Sequence, residues 1–224
     1  MRKQKLNMDD GFNPEFVETA FFDGILEMPC IERPAKVILP ERLIPIDKIS
    51  RSTDHSEVVV PYVCDAAFGD IVRNPADYVA SLAQFPAMAS LDNSVYVDSP
   101  LAVQIANVYR SRALAHYFQR QGLTVYANVR WGDERSYTTA ALPEPFAFLG
   151  LPKHSILCLG TYGSCKTKEE KYHLRHGLTA MLDYLQPEIV LVYGAMPNDV
   201  FVGLLQKTRF LQYPDWTSWQ RRGR

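Results

Sequence analysis

The 224-residue sequence is poor in the features that tie a chain to a membrane, an oxidising compartment or a metal. It has four cysteines, Cys30, Cys64, Cys158 and Cys165, and no CxxC pair. Scattered thiols in a chain this long exclude a disulfide-built scaffold and predict reduced cysteines. No run approaches the roughly 18 consecutive apolar residues of a membrane span. The basic start, MRKQKLNMDDGF, has no apolar stretch behind it, so no secretory signal is expected. These absences predict a cytoplasmic protein with no membrane partner. Lys plus Arg total 24 against 25 for Asp plus Glu, a net charge of -1. That balance argues against a polyanion-coating protein, a membrane-surface binder and binding of extended duplex, while leaving room for a local basic patch. His55, His116, His154, His173 and His176 do not stand with cysteines at zinc spacings, so no metal site is predicted.

What is present suits a packed domain. Hydrophobic residues make up 47% and charged residues 22% of the chain, which excludes wholesale disorder. Residues 1–52 are punctuated by Pro14, Pro29, Pro34, Pro40 and Pro45, yet they carry apolar residues from Phe12 to Ile46. Proline interrupts regular structure, while the apolar content requires burial. This segment is expected to pack on the body, with one short strand at Val37–Leu39.

Residues 53–224 read as a βα domain. Apolar or β-branched runs stand at Val58–Val63, Ala87–Leu91, Thr124–Val129, Ser155–Gly160, Ile189–Tyr193 and Arg209–Gln212. Continuous apolar runs mark strands buried on both faces. Helical stretches lie between them. Asn74–Pro75 reads as an N-cap and first helical residue. Leu101–Arg120 reads as a long helix whose apolar sector, defined by Ala102, Ala106, Tyr109, Ala113 and Tyr117, includes Arg110. Thr167 and Glu170 form a capping box ahead of Leu174, Leu178, Met181, Leu182 and Leu185. Alternating βα units imply a mainly parallel sheet with right-handed crossovers. About six such units fit a partial or irregular TIM-like (β/α) barrel, the N-terminal segment supplying missing elements; the alternative is an open doubly wound sheet.

Either fold places a ligand at the carboxyl ends of the strands. Polar residues gather there. NVRWGDERSY, at the end of the third run, carries two arginines, two carboxylates, an indole and an amide. Arginine suits bidentate contact with carboxylate or phosphate, and tryptophan offers a stacking surface. Arg130 and Arg135 are candidate anion clamps, Trp131 a candidate platform, and Asn128 and Ser136 candidate substrate contacts. Asp92, ending the second run, and Asp133 are candidate acid–base groups, because a carboxylate at the end of a buried strand must be paired, hydrogen-bonded or functional. With Asp65 on a neighbouring strand, Asp92 also suits a possible divalent cation. Arg110 needs a partner in its apolar sector and is expected to reach Asp92 or Asp133. Tyr193, at the end of the fifth run, joins the same rim. GTYGSCKT, with Gly160, Gly163, Lys166 and Thr167, is a candidate anion loop at a helix N-terminus, although it does not match a Walker A motif.

The strings LDNSVYVDSPLAVQIANVYRSRALAHYFQRQGLTVYANVRWGDERSY, GTYGSCKTKEEK, IVLVYGAMP and FLQYPDWTS resemble the DUF4417 family of bacterial and phage proteins. The likeness runs from about residue 15 to 219 and is most specific at the central WGD. It implies that Asp92, Tyr96, Pro100, Gln104, Arg110, Arg112, Asn128, Trp131, Gly132, Asp133, Ser136, Gly163 and Tyr193–Gly194 recur across the family. It also implies a phage or mobile-element setting.

Three functions follow as expectations. The first is an enzyme whose strand-end site binds a small or terminal anionic substrate: a nucleotide, a nucleic-acid end or a phosphosugar. The second is a non-catalytic module for ligand binding or protein interaction, in which the cleft carboxylates are all locked in ion pairs. The third is a sugar-active barrel, with Asp92 and Asp133 flanking a glycosidic bond. Oligomeric state is left open.

Overall fold

The computed structural model describes residues 13–222. Phe12, the basic start and the last two residues, Gly223 and Arg224, lie outside the described residues.

The chain begins with a short helix, α1 (Pro14–Val17), and a hairpin of β1 (Phe22–Asp23) and β2 (Met28–Pro29). Seven strands then form one parallel sheet: β3 (Leu43–Pro45), β4 (Val58–Val60), β5 (Ala87–Ala89), β6 (Val125–Asn128), β7 (Ile156–Gly160), β8 (Ile189–Tyr193) and β9 (Arg209–Tyr213). Between and after them lie α2 (Gly69–Arg73), α3 (Val79–Leu82), α4 (Leu101–Arg120), α5 (Glu134–Tyr137), α6 (Lys168–Leu185), α7 (Asn198–Phe201) and α8 (Trp216–Arg222).

Strand order across the sheet equals chain order. A doubly wound sheet reverses its order at a switch point. Here every right-handed crossover steps the same way, so the sheet curls into a half-barrel with flanking helices. The period-2 alternation of each strand divides the core in two. Val59, Met88, Ala127, Leu157, Val190 and Val192 join the helices in one cluster. Val58, Val60, Ala89, Tyr126, Cys158, Leu191, Tyr193 and Tyr213 form a second cluster that contains no helical residue. The second is the concave face.

Side chains bridge the unpaired first and last strands. Tyr213 Oη donates to Pro40 O at 2.9 Å, just ahead of β3. Trp219 of α8 lies under the Arg42 guanidinium at 4.6 Å. The N-terminal segment shares the main core through Phe16, Val17 and Ile31.

Three local expectations are corrected. Val37–Leu39 is not a strand; the segment's parallel strand is Leu43–Pro45. Both backbone polar groups of Ile38 bond the Tyr126 hydroxyl, at 2.7 and 2.8 Å, which leaves none for a ladder. Asn74 and Pro75 do stand at the N-cap and first helical positions, but of a 3-10 helix, Pro75–Tyr78, leading into α3, and the Asn74 side chain does not cap it: its amide donates to Asp70. On α4 the buried cation is Arg112, 3% exposed, whereas Arg110 is half-buried and bonds Asn107 at 3.1 Å. The helix buries Val108, Leu114 and Phe118 and is covered on further sides by β2 and residues 146–149, so a single apolar sector does not describe it.

Candidate functional site

The carboxyl ends of β5, β6 and β7 and the first turns of α6 surround a cavity of about 560 Å³. That volume lies within the range of small-molecule sites, roughly 300–1,000 Å³. Residues 95–98, after β5, form one wall. Arg130, Trp131 and Gly132, after β6, form the next. Gly160, Gly163 and Ser164 follow β7, and Thr167, Glu169, Glu170 and His173 come from α6.

Arg130 is the cation on this wall. Its side chain is 27% exposed, and Nη1 lies 3.6 Å from Asp92 Oδ2. Among the described residues its guanidinium makes no hydrogen bond beyond that ion pair. Asp92, 11% exposed at its side chain, does not line the cavity. It accepts from Asn128 Nδ2 at 2.8 Å. Asn128 Oδ1 in turn accepts from Tyr62 Oη at 2.8 Å, which fixes the amide so that its NH₂ faces Asp92. Tyr62 stacks on Tyr193 with ring centres 5.2 Å apart, and the Tyr193 hydroxyl accepts from Trp216 N at 2.8 Å. A buried chain of contacts therefore runs from the concave face to the cavity wall. Burial pushes the Asp92 carboxyl above its ordinary range, against the opposing pull of Arg130 and Asn128. Burial likewise lifts the Tyr62 phenol and takes Tyr193 up to about 12.

The other charged candidates are committed elsewhere. Asp133 caps α5: it accepts from Arg135 N at 3.0 Å and is gripped by the Arg135 guanidinium at 2.8–3.0 Å. Burial opposes ionisation there, but these bonds hold the carboxyl below its ordinary value. Arg135 also donates to Val97 O at 2.9 Å, which ties α5 to the loop after β5. Neither residue lines the cavity. Ser136 is fully buried, donates to Asp133 O and accepts from Gly132 N. Trp131 is 8% exposed and its indole N–H donates to His173 O at 3.0 Å, so it walls the cavity rather than offering an open face. A side chain at Gly177 would strike this indole, which accounts for the glycine in mid-helix. Arg110 reaches neither Asp92 nor Asp133. Its expected place near Asp92 belongs to the more deeply buried Arg112, which bonds Leu149 O, Ala147 O and Asn128 O.

The candidate anion loop holds an anion of the chain's own. The backbone N–H groups of Lys166 and Thr167 donate to the Glu170 carboxylate at 2.6 and 2.9 Å, while Thr167 Oγ1 accepts from Glu170 N. The capping box thus occupies the nest. Gly160 makes room for the Tyr62 ring, and Lys166 is not on the cavity wall.

Asp98, Ser164, Glu169 and His173 line the cavity but are not singled out for it by sequence. The side chains of Asp98, Ser164 and Glu169 make no hydrogen bond or ion pair among the described residues. His173 Nδ1 lies 3.4 Å from Tyr137 Oη. Helical spacing offers one signal: His173 and Leu174 stand at i+3 and i+4 from Glu170 of the capping box, on the same helix face. Among the described residues no group of three or more metal-ligating side chains is assembled, and no helix is long and apolar enough to cross a membrane.

Comparison with known proteins gives a consistent lineage. The profile of the family described as "Domain of unknown function (DUF4417)" matches residues 20–214. The "Gene 1 protein" of Mycobacterium phage L5 and that of Mycobacterium phage D29 are each 27% identical over 161 residues, 72% of this chain. The match spans 65% and 55% of those relatives' own length. No solved structure matches.

Proposed function

The chain belongs to the DUF4417 family and has phage relatives, and from this premise we propose that its strand-end cavity binds a small or terminal anionic ligand. The class is that of a nucleotide, a nucleic-acid end or a phosphosugar. One observation carries the reading: Arg130 is largely buried at the cavity wall, yet among the described residues it has no hydrogen-bond acceptor beyond its loose pair with Asp92. A guanidinium presents five donors in a fixed fork that suits a phosphate. Arg112 and Arg135 have theirs committed to the fold. Ser164 adds a free hydroxyl on the adjoining wall.

A binding module is favoured over an acid–base enzyme. Neither Asp92 nor Asp133 lines the cavity, and each is engaged by an arginine. That also weakens the sugar-active reading, which needs two carboxylates across one cleft. One observation favours an enzyme as the second reading: His173 brings an imidazole to the cavity wall.

A thermal-shift screen with inorganic phosphate, ribose 5-phosphate and nucleotides, each with and without Mg²⁺, tests the proposal. A ligand that binds only the folded state stabilises it by about 2.7 kcal/mol at a hundred times Kd. Arg130→Ala is expected to abolish that shift. Equal shifts in Arg130→Ala and wild type, or no shift with any anion, would overturn the reading.

A further inference from the structure

The cavity wall carries two chemically different sets of groups. Arg130 and Ser164 offer donors to an anion. The other set is apolar: Val95, Val97, Leu159 and Leu174. Tyr96 joins them on the wall; the residue is 58% exposed and its hydroxyl has no partner among the described residues. Asp98 and Glu169, also on the wall, are carboxylates that pair with no cation among the described residues.

Each set limits the ligand. A phosphosugar would satisfy Arg130 and leave the apolar wall and Tyr96 without a counterpart. A di- or triphosphate would set its additional charge against Asp98 and Glu169. A ligand with one phosphate and one flat, amine-bearing ring suits both sets. The ring stacks on Tyr96, and its amino or ribose hydroxyl hydrogens reach the carboxylates.

We propose that the cavity recognises a nucleoside 5′-monophosphate group, with the phosphate on Arg130 and the base against Tyr96. The proposal rests on the anion-binding reading above and narrows it. The same group occurs as a free nucleotide and as the 5′-phosphorylated end of a single strand.

Calorimetric titration of the full chain tests it. The probes are AMP, ATP, ribose 5-phosphate, and an adenosine trinucleotide with and without its 5′-phosphate. Stacking of one base contributes about 1–3 kcal/mol, so AMP is expected to bind about 5- to 150-fold more tightly than ribose 5-phosphate. ATP is expected to bind more weakly than AMP. Tyr96→Ala removes the advantage of AMP and leaves ribose 5-phosphate binding unchanged, while Tyr96→Phe retains it. Tighter binding of AMP than of the phosphorylated trinucleotide assigns the free nucleotide; the reverse order assigns the strand end. The proposal is overturned if AMP and ribose 5-phosphate bind equally to wild type. It is also overturned if Tyr96→Ala keeps the AMP advantage, if ATP binds as well as AMP, or if the unphosphorylated trinucleotide matches the phosphorylated one. Loss of all anion binding in Arg130→Ala alongside any of these results would leave the broader reading standing and remove only this one.

Discussion

Replacing Arg112 with methionine tests how the fold holds its strand-end rim. The residue is 3% exposed and carries its charge into the core of the molecule. Nε donates to Leu149 O at 3.0 Å, Nη2 to Ala147 O at 2.9 Å, and Nη1 reaches Asn128 O at 3.5 Å. Burial takes its pKa down to about 9, so the guanidinium still carries its charge at neutral pH. Methionine fills similar space and removes the cost of burying a charge, which by itself favours the variant. It also leaves two well-bonded carbonyls unpaired, those of Ala147 and Leu149, in a segment whose side chains are fully buried. Each hydrogen bond from a charged donor is worth about 1.5–3 kcal/mol when its acceptor is left buried, so the two together cost about 3–6 kcal/mol. Relief of the charge burial offsets part of that, leaving a net loss of about 2–4 kcal/mol. Against a typical stability of about 5–15 kcal/mol that is a large fraction. Urea titration followed by circular dichroism reads it directly. Arg110→Met is the matched control: that residue is half-buried with one bond to Asn107, and its loss should fall within about 0.5 kcal/mol. Equal costs at the two positions, or a loss below about 1 kcal/mol at Arg112, would refute the reasoning.

Asp92 gives a prediction in pH. Its folded-state pKa is raised, so its contribution to stability is fully present below pH about 4 and is lost as pH rises through the folded value. Asp92→Asn removes that loss, and urea titrations should show the variant gaining on wild type between pH 4 and pH 7; a difference that shrinks over this interval contradicts the account. Glu170→Ala breaks the capping box and is expected to cost about 1 kcal/mol, while freeing the Lys166 and Thr167 amides to raise phosphate affinity. Unchanged stability together with unchanged phosphate affinity would show that Glu170 does not fill the nest.

Much of this architecture is legible in local pattern, and the failures have a common cause. The six runs from Val58 onward all hold strands; five are buried on both faces and write a near-continuous apolar string, while the sixth, Arg209–Gln212, is the half-exposed edge strand. The Thr167–Glu170 box and the α6 core face are equally local. Barrel-like winding is not: it depends on strand order, which no single segment encodes. Val37–Leu39 has strand composition, but a hydroxyl from β6, 88 residues away, takes its backbone groups. On α4, helical periodicity finds one apolar sector, whereas the helix is covered on several sides and carries a buried arginine whose partners are carbonyls distant in sequence. Asp133 was readable as an N-cap from its place before Glu134, and its density of charged neighbours pointed to chemistry instead.

The three arginines near this rim separate structure from function better than charge density does. Arg112 is bound to carbonyls and Arg135 to a capping carboxylate and a loop. Arg130 alone of the three faces the cavity, and the groups behind it form an ordered series: Tyr62 orients Asn128, Asn128 holds one oxygen of Asp92, and the other oxygen lies near Arg130. A surface ion pair formed for solubility needs no such backing, since exposed pairs contribute only about 0–1 kcal/mol and tolerate loose geometry. The series orders the Asp92 carboxylate, whereas Arg130 meets it only at 3.6 Å, beyond hydrogen-bonding distance, so the guanidinium keeps its donors for an oxyanion. The unfilled donors of Arg130 and the ordered series behind it are therefore two parts of one arrangement at the cavity wall.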